Sequence, residues 1–96
     1  MQARKKVEVI ADRVELEPVL SVLRAAGVDG HSIIRDIEGD GARGPRTSDE
    51  IVALGNVYVM TACTAEQAEW IVEALRPVLA RRGGVCLVSD VLWVGH

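Results

Sequence analysis

Phenylalanine is missing from this chain, and Trp and Tyr together bring the aromatic share to only 3% of its 96 residues. The core must therefore be assembled from Val, Leu, Ile and Ala, each of which buries less area than an aromatic ring. The same shortage argues against a sheet that stacks nucleic-acid bases on aromatic side chains. Cysteine is scarce too. Cys63 and Cys86 fit neither a CxxC nor a Cys/His spacing, which argues against a CxxC-type metal carrier and leaves two buried apolar thiols in a reducing compartment. No Ser/His/Asp or Cys/His arrangement can be placed, and the carboxylates are scattered, so the chain is not expected to be an enzyme. Basic charge is not in excess: the net charge is −3, which argues against a nucleic-acid partner. Finally, no apolar run reaches the length of a membrane span and no leader-like segment opens the chain, so a cytoplasmic location is expected.

What is present is apolar residues, 49% of the chain, in a length that supports one domain over 1–96. An apolar fraction this high in so small a chain points to burial against further copies. The basic residues fall in three groups: Arg4-Lys5-Lys6, Arg43 with Arg46, and Arg81-Arg82.

Lys6 to Ala11 (KVEVIA) is rich in β-branched residues and reads as a first strand. Leu16, Val19, Val22, Leu23 and Ala26 recur at helical spacing, with Pro18 in the first turn and Gly27 placed to end the helix, which is expected over 17–26. His31 to Ile37 is a second strand, and Asn56 to Cys63 a third. Thr64-Ala65-Glu66-Gln67 has the form of a capping box and opens a second helix over 65–80, whose stripe is Ala68, Ile71, Val72, Leu75, Val78 and Leu79. Pro77 is expected to kink that helix or end it early. Arg81-Arg82-Gly83-Gly84 then reads as a tight turn, and Val85 to Val94 as a fourth strand.

The order βαββαβ implies an α+β ferredoxin-like sandwich, a four-stranded antiparallel sheet with two helices on one face. Its strands do not alternate apolar with polar. Val57 and Val59 oppose Tyr58 and Met60, while Val85, Leu87, Val91 and Trp93 oppose Cys86, Val88, Leu92 and Val94. A sheet with one face in water should alternate, so the helix-free face needs a cover, most simply another subunit. Trp70, opposite the stripe of the second helix, is either exposed or an interface anchor. His31 reads as structural or exposed rather than as a ligand.

Between strands two and three lies GDGARGPRTSDEIVALG, Gly39 to Gly55. Loops of this length in small domains are usually functional. Arg43 and Arg46, within an otherwise acidic chain, suit a small anion or an acidic partner. An acylphosphatase could use an arginine and an asparagine of the types of Arg13 and Asn56, but the glycine-rich cradle it needs after strand one is missing.

With the Gly39-Asp40-Gly41 opening of the long loop and the Gly-Gly turn before VCLVSDV, the chain resembles the PII family of signalling proteins over nearly its whole length. The resemblance implies a trimer with sheets packed inward, adenine nucleotides in the clefts between subunits, and a long loop (39–55) that engages a target protein, a membrane transporter among the candidates. It places Gly39, Asp40 and Gly41 at the phosphate-facing loop base, and Arg81, Arg82, Gly83, Gly84 and Val85 in a second loop around the phosphates. Ile10, Thr61 and Ala62 match positions lining the adenine pocket. The departures are specific. Tyr58 sits on a strand, so the family's modified loop tyrosine has no counterpart. The second loop is shorter, and Val85 stands where a phosphate-binding lysine is usual. The sequence stops at Gly95-His96, where typical members continue with arginines that grip the outer phosphates. Fewer cations imply a preference for ADP or AMP over ATP, because each phosphate contact is a charge-assisted hydrogen bond. Members linked to inorganic-carbon uptake add bicarbonate as an expected small anion near Arg43 or Arg46. No resident cofactor or metal is implied. The alternative is a trimeric metal- or anion-binding protein of the same fold without nucleotide.

Overall fold

A long central strand sets the geometry. β1 runs from Gln2 to Asp12 and pairs antiparallel with β5 (Asn56–Cys63) on one side and β6 (Val85–Trp93) on the other. β2 (Ser32–Ile37) pairs with the outer edge of β5, giving the antiparallel order β2-β5-β1-β6. The computed structural model describes residues 1–41, 44–46 and 55–95, with backbone alone for 39–41 and 44–46. Arg43 and the remainder of the long connection lie outside the described residues. Within it, Gly39–Gly41 (β3) pairs antiparallel with Gly44–Arg46 (β4).

α1 (Leu16–Ala26) and α2 (Ala65–Arg82) cover one face of the sheet. Val7, Val9 and Ala11 of β1 and Val57, Val59 and Cys63 of β5 meet Leu16, Val19, Leu20 and Leu23 of α1 and Ala68, Ile71, Leu75 and Val78 of α2. These are the aliphatic residues the sequence pattern points inward, each contributing about 1.5–3 kcal/mol when a Leu, Ile or Val is fully buried. The capping box at Thr64 is complete: the Gln67 backbone N–H donates to Thr64 Oγ1 at 3.1 Å, and the Thr64 N–H donates to Gln67 Oε1 at 3.0 Å. Gln67 Nε2 also donates to the carbonyls of Ala26 and Gly27 at 3.2 Å, tying the end of α1 to the start of α2.

Three boundaries differ from the expected ones by more than one residue. β1 begins at Gln2 rather than Lys6, because ladder bonds do not depend on side-chain polarity: Gln2 pairs with Trp93 and Lys5 with Asp90. An ion pair between Lys5 and Asp90 reinforces that register. α2 stops neither near 80 nor at Pro77 but continues to Arg82. Pro77 and Glu73 face solvent, where water can satisfy the one carbonyl left without its N–H, while Leu75 and Val78 hold the helix on both sides of the proline. Arg81 and Arg82 therefore belong to the last helical turn and not to the turn that follows. That turn is Gly83-Gly84 alone, with Gly83 left-handed (φ 76) and both N–H groups donating to the Leu79 carbonyl at 3.0 Å.

The helix-free face is largely apolar along β5 and β6, as their pattern implies, and uncovered in the single chain. Ile34 is 55% exposed and Leu87 53%, with Trp93 and Val85 at 44%. Polar side chains of the central strand run across its middle: Arg4, Lys6 and Glu8 share this face with Val91, Ala62 and Leu87, Lys6 Nζ lies 3.7 Å from Glu8 Oε2, and Tyr58 donates to Glu8 Oε2 at 2.6 Å. This bond to a carboxylate, then burial and the charge of Glu8, push the Tyr58 phenol above its ordinary range.

Candidate functional site

The residues expected to hold a ligand gather at opposite ends of the sheet. At the first end, β1 and β6 bring Ile10 level with Val85, and the α2–β6 turn lies directly on that pair. A Cβ on Gly84 would stand 2.7 Å from Leu79 Cδ2, 3.1 Å from the Ile10 carbonyl oxygen and 3.4 Å from Ala11 Cβ. A side chain there would crowd the β1 backbone, and glycine lets the turn approach it closely.

The base of the long connection is at the same end. β2 closes with a bulge at Asp36, whose φ of 59 is left-handed and unusual for a residue with a side chain. Gly55 (φ 89), just before β5, faces it; a Cβ there would lie 3.1 Å from Asp36 Oδ1. The Gly55 carbonyl accepts from the Arg13 N–H at 2.9 Å, and Asn56 Nδ2 donates to the Ile37 carbonyl at 3.1 Å. Both ends of the connection are thus pinned to one spot beside the turn after β1. Gly39, Asp40 and Gly41 follow directly from it as β3.

A charged cluster completes this end. Glu15 closes a 3₁₀ turn (Arg13–Glu15) and its side chain is 6% exposed, yet it is a carboxylate. Arg82 Nε lies 3.5 Å from Glu15 Oε1 and Arg81 Nε 3.7 Å from Oε2. The arginines neutralise a buried charge from distances too long for good hydrogen bonds, and among the described residues Oε2 has no hydrogen-bond partner. Sequence inspection missed Glu15, which looks like an ordinary acidic residue at a helix start.

Thr61 and Ala62 are elsewhere. They pair with Val7 and Lys6, three and four rungs of β1 away from Ile10, so one chain does not bring them into a pocket with it. With Arg4, His31, Ser32 and Trp93 they line a cavity of about 300 Å³ at the second end of the sheet. Thr61 is buried and its hydroxyl donates to the Gly30 carbonyl at 2.6 Å, which fixes the chain just before β2 as a wall of that cavity. Arg4 and Trp93 carry no local signal for this role. Only the β1–β6 register, with Gln2 opposite Trp93, brings them to the cavity. A wider groove of about 480 Å³ lies on the helix side between α2 and β6, floored by Ala68, Val72 and Val88, and holds none of the expected residues.

Burial raises the thiols of Cys63 and Cys86, so neither is an activated nucleophile. Cys63 is buried as expected, whereas Cys86 on β6 is only partly covered. Among the described residues no group of three or more His, Cys, Asp or Glu could hold a metal ion, and no helix is long and apolar enough to cross a membrane.

A family model described as nitrogen regulatory protein P-II matches residues 4–94. No curated protein matches the chain. Among solved structures, CPII, a nitrogen regulatory PII-like protein from Thiomonas intermedia K12 bound to ADP, AMP and bicarbonate, is 24% identical, with a TM-score of 0.84 over 94% of this chain and 87% of that one. CPII from the same organism bound to ADP, AMP and acetate is 26% identical, with a TM-score of 0.80 over 98% and 90% of the two chains. A PII-like signaling protein from Thermus thermophilus is 21% identical, with a TM-score of 0.73 over 93% of this chain and 87% of that one.

Proposed function

We propose, from the premise that this chain belongs to the nitrogen regulatory protein P-II family, that it is a non-enzymatic sensor of adenine nucleotides working as a homotrimer. The observation that carries the reading is the division of the expected residues between two ends of one sheet. Ile10, Gly84, Val85 and the loop base occupy one end, and Thr61 and Ala62 the other. A site that uses both groups is completed when the first end of one subunit meets the second end of the next. The exposed Ile34, Val85, Leu87 and Trp93 of the uncovered sheet face supply a reason for subunits to associate.

In this reading the phosphates lie against Gly39–Gly41, the last turn of α2 and the Gly83-Gly84 turn, and the base enters the neighbouring cavity beside Thr61 and Ala62. Occupancy favours one arrangement of the 39–55 connection, which a target protein reads. Such a switch requires a coupling of ~1–3 kcal/mol between nucleotide and partner. ADP and AMP are preferred, because Val85 offers no cation to an outer phosphate. Bicarbonate is a second ligand near Arg46 and Arg43, in keeping with the ligands named for the Thiomonas relative.

Calorimetric titration with ATP, ADP and AMP, each with and without bicarbonate, tests the proposal. Micromolar binding at about one nucleotide per subunit is expected. No heat and no thermal shift with any of the three would overturn it and leave an anion or metal as the ligand.

A further inference from the structure

Glu15 is an unexpected residue to find closed off from water. A buried carboxylate is costly, and good hydrogen bonds are the usual compensation. Glu15 instead faces two guanidinium groups at 3.5 and 3.7 Å, and Oε2 has no hydrogen-bond partner among the described residues. A buried ion held this loosely is poor evidence for a stabilising role. Its position is informative. The side chains of Arg81 and Arg82 are 55% and 48% exposed, so each has one flank toward Glu15 and another open to solvent. The carboxylate is 6% exposed and out of a ligand's reach, but its charge is within a few ångströms of both cations.

We propose that Glu15 sets the ligand-charge preference of the Arg81–Arg82 pair, placing a fixed negative charge beside it so that the site favours nucleotides with fewer phosphates. The inference rests on the nucleotide reading above, in which the last turn of α2 faces the phosphates. Glu15 adds one fixed negative charge within 4 Å of the two guanidinium groups. A ligand therefore meets the attraction of two arginines and the repulsion of a fixed carboxylate behind them. The repulsion scales with ligand charge, which is roughly −2, −3 and −4 for AMP, ADP and ATP near neutral pH. For a unit charge about 8 Å away through a half-wet site, the effect is on the order of threefold in binding constant per unit of ligand charge. From AMP to ATP that accumulates to about tenfold. Glu15 thus acts through the arginines as a positioning and selectivity residue, without touching the nucleotide.

The test is calorimetry of wild type and Glu15→Gln with AMP, ADP and ATP at fixed low ionic strength without Mg²⁺. Glutamine keeps the shape and removes the charge, and the half-exposed arginines keep their water, so the variant should fold. A melting curve checks this. The expected result is a ratio of ATP to AMP affinity about tenfold higher in Glu15→Gln, with ADP between. Equal changes for all three nucleotides would mean that Glu15 only braces the turn, and would overturn the proposal. Wild type binding no nucleotide at all would overturn it as well, and would be recognised as failure of the nucleotide reading because it appears before any substitution. Should Glu15→Gln fail to fold, Glu15→Leu decides, because it also removes the charge and leaves no unpaired polar group in the buried position. A raised ratio of ATP to AMP affinity is expected, and equal changes for all three nucleotides would again overturn the inference.

Discussion

Gly84→Ala adds a single methyl group where three neighbours already occupy the space. The new Cβ would stand 2.7 Å from Leu79 Cδ2, 3.1 Å from the Ile10 carbonyl oxygen and 3.4 Å from Ala11 Cβ. The Leu79 methyl can rotate away at the expense of packing at the end of α2. The Ile10 oxygen cannot, because it belongs to the central strand between β5 and β6. Overpacking of this kind costs typically about 1–3 kcal/mol. For a domain of about 100 residues, 1 kcal/mol moves Tm by roughly 4–8 °C, so a drop of about 5–20 °C is expected. Gly30→Ala is the matched control, because a Cβ there meets nothing within 4 Å, and it should stay within about 0.5 kcal/mol of wild type. Thermal unfolding of the three proteins at one protomer concentration is the assay, since an oligomer's Tm depends on concentration. A Gly84→Ala protein as stable as the control would refute the close approach of the α2–β6 turn to β1, and with it the first half of the site.

Thr61→Val should cost about 1–2 kcal/mol in urea unfolding, because it leaves the Gly30 carbonyl without its 2.6 Å partner, and it should also loosen the wall of the second cavity. Tyr58 makes a pH prediction. Its phenol is raised in the folded state by its bond to Glu8, so that bond's contribution is complete below pH ~10 and fades as pH climbs through the folded value. Stability of wild type relative to Tyr58→Phe should therefore fall across that alkaline range and be flat near neutrality. A difference that stayed constant to about pH 11 would contradict the assignment. Leu87→Asp places a charge on the uncovered sheet face, where Leu87 is 53% exposed in the single chain, and light scattering should find protomers in place of trimers without loss of helical signal.

Much of the scaffold is legible from local pattern. Thr64 and Gln67 stand at capping-box spacing and both bonds form, while Val7, Val9, Val57 and Val59 alternate inward as strand geometry requires. Harder to read is whatever depends on a partner far along the chain. Gln2 to Lys5 look like a polar tail, and they are strand because β6 offers them a ladder. Pro77 looks like a terminator, and it sits inside α2 because its lost bond is on the wet side and its neighbours are buried.

The candidate site divides along the same line. Gly84 and the loop base announce themselves by composition. The cavity beside Thr61 depends on strand register, and Glu15 gives no hint that it is buried between a 3₁₀ turn and the end of α2. No periodicity distinguishes it from the exposed Glu17 two residues on.

Native mass spectrometry of the protein with increasing ADP tests the shared site most directly. The account predicts a trimer that fills to three ADP molecules, with no nucleotide on any residual single chain. ADP bound to monomers, or a trimer that takes up none, would contradict it.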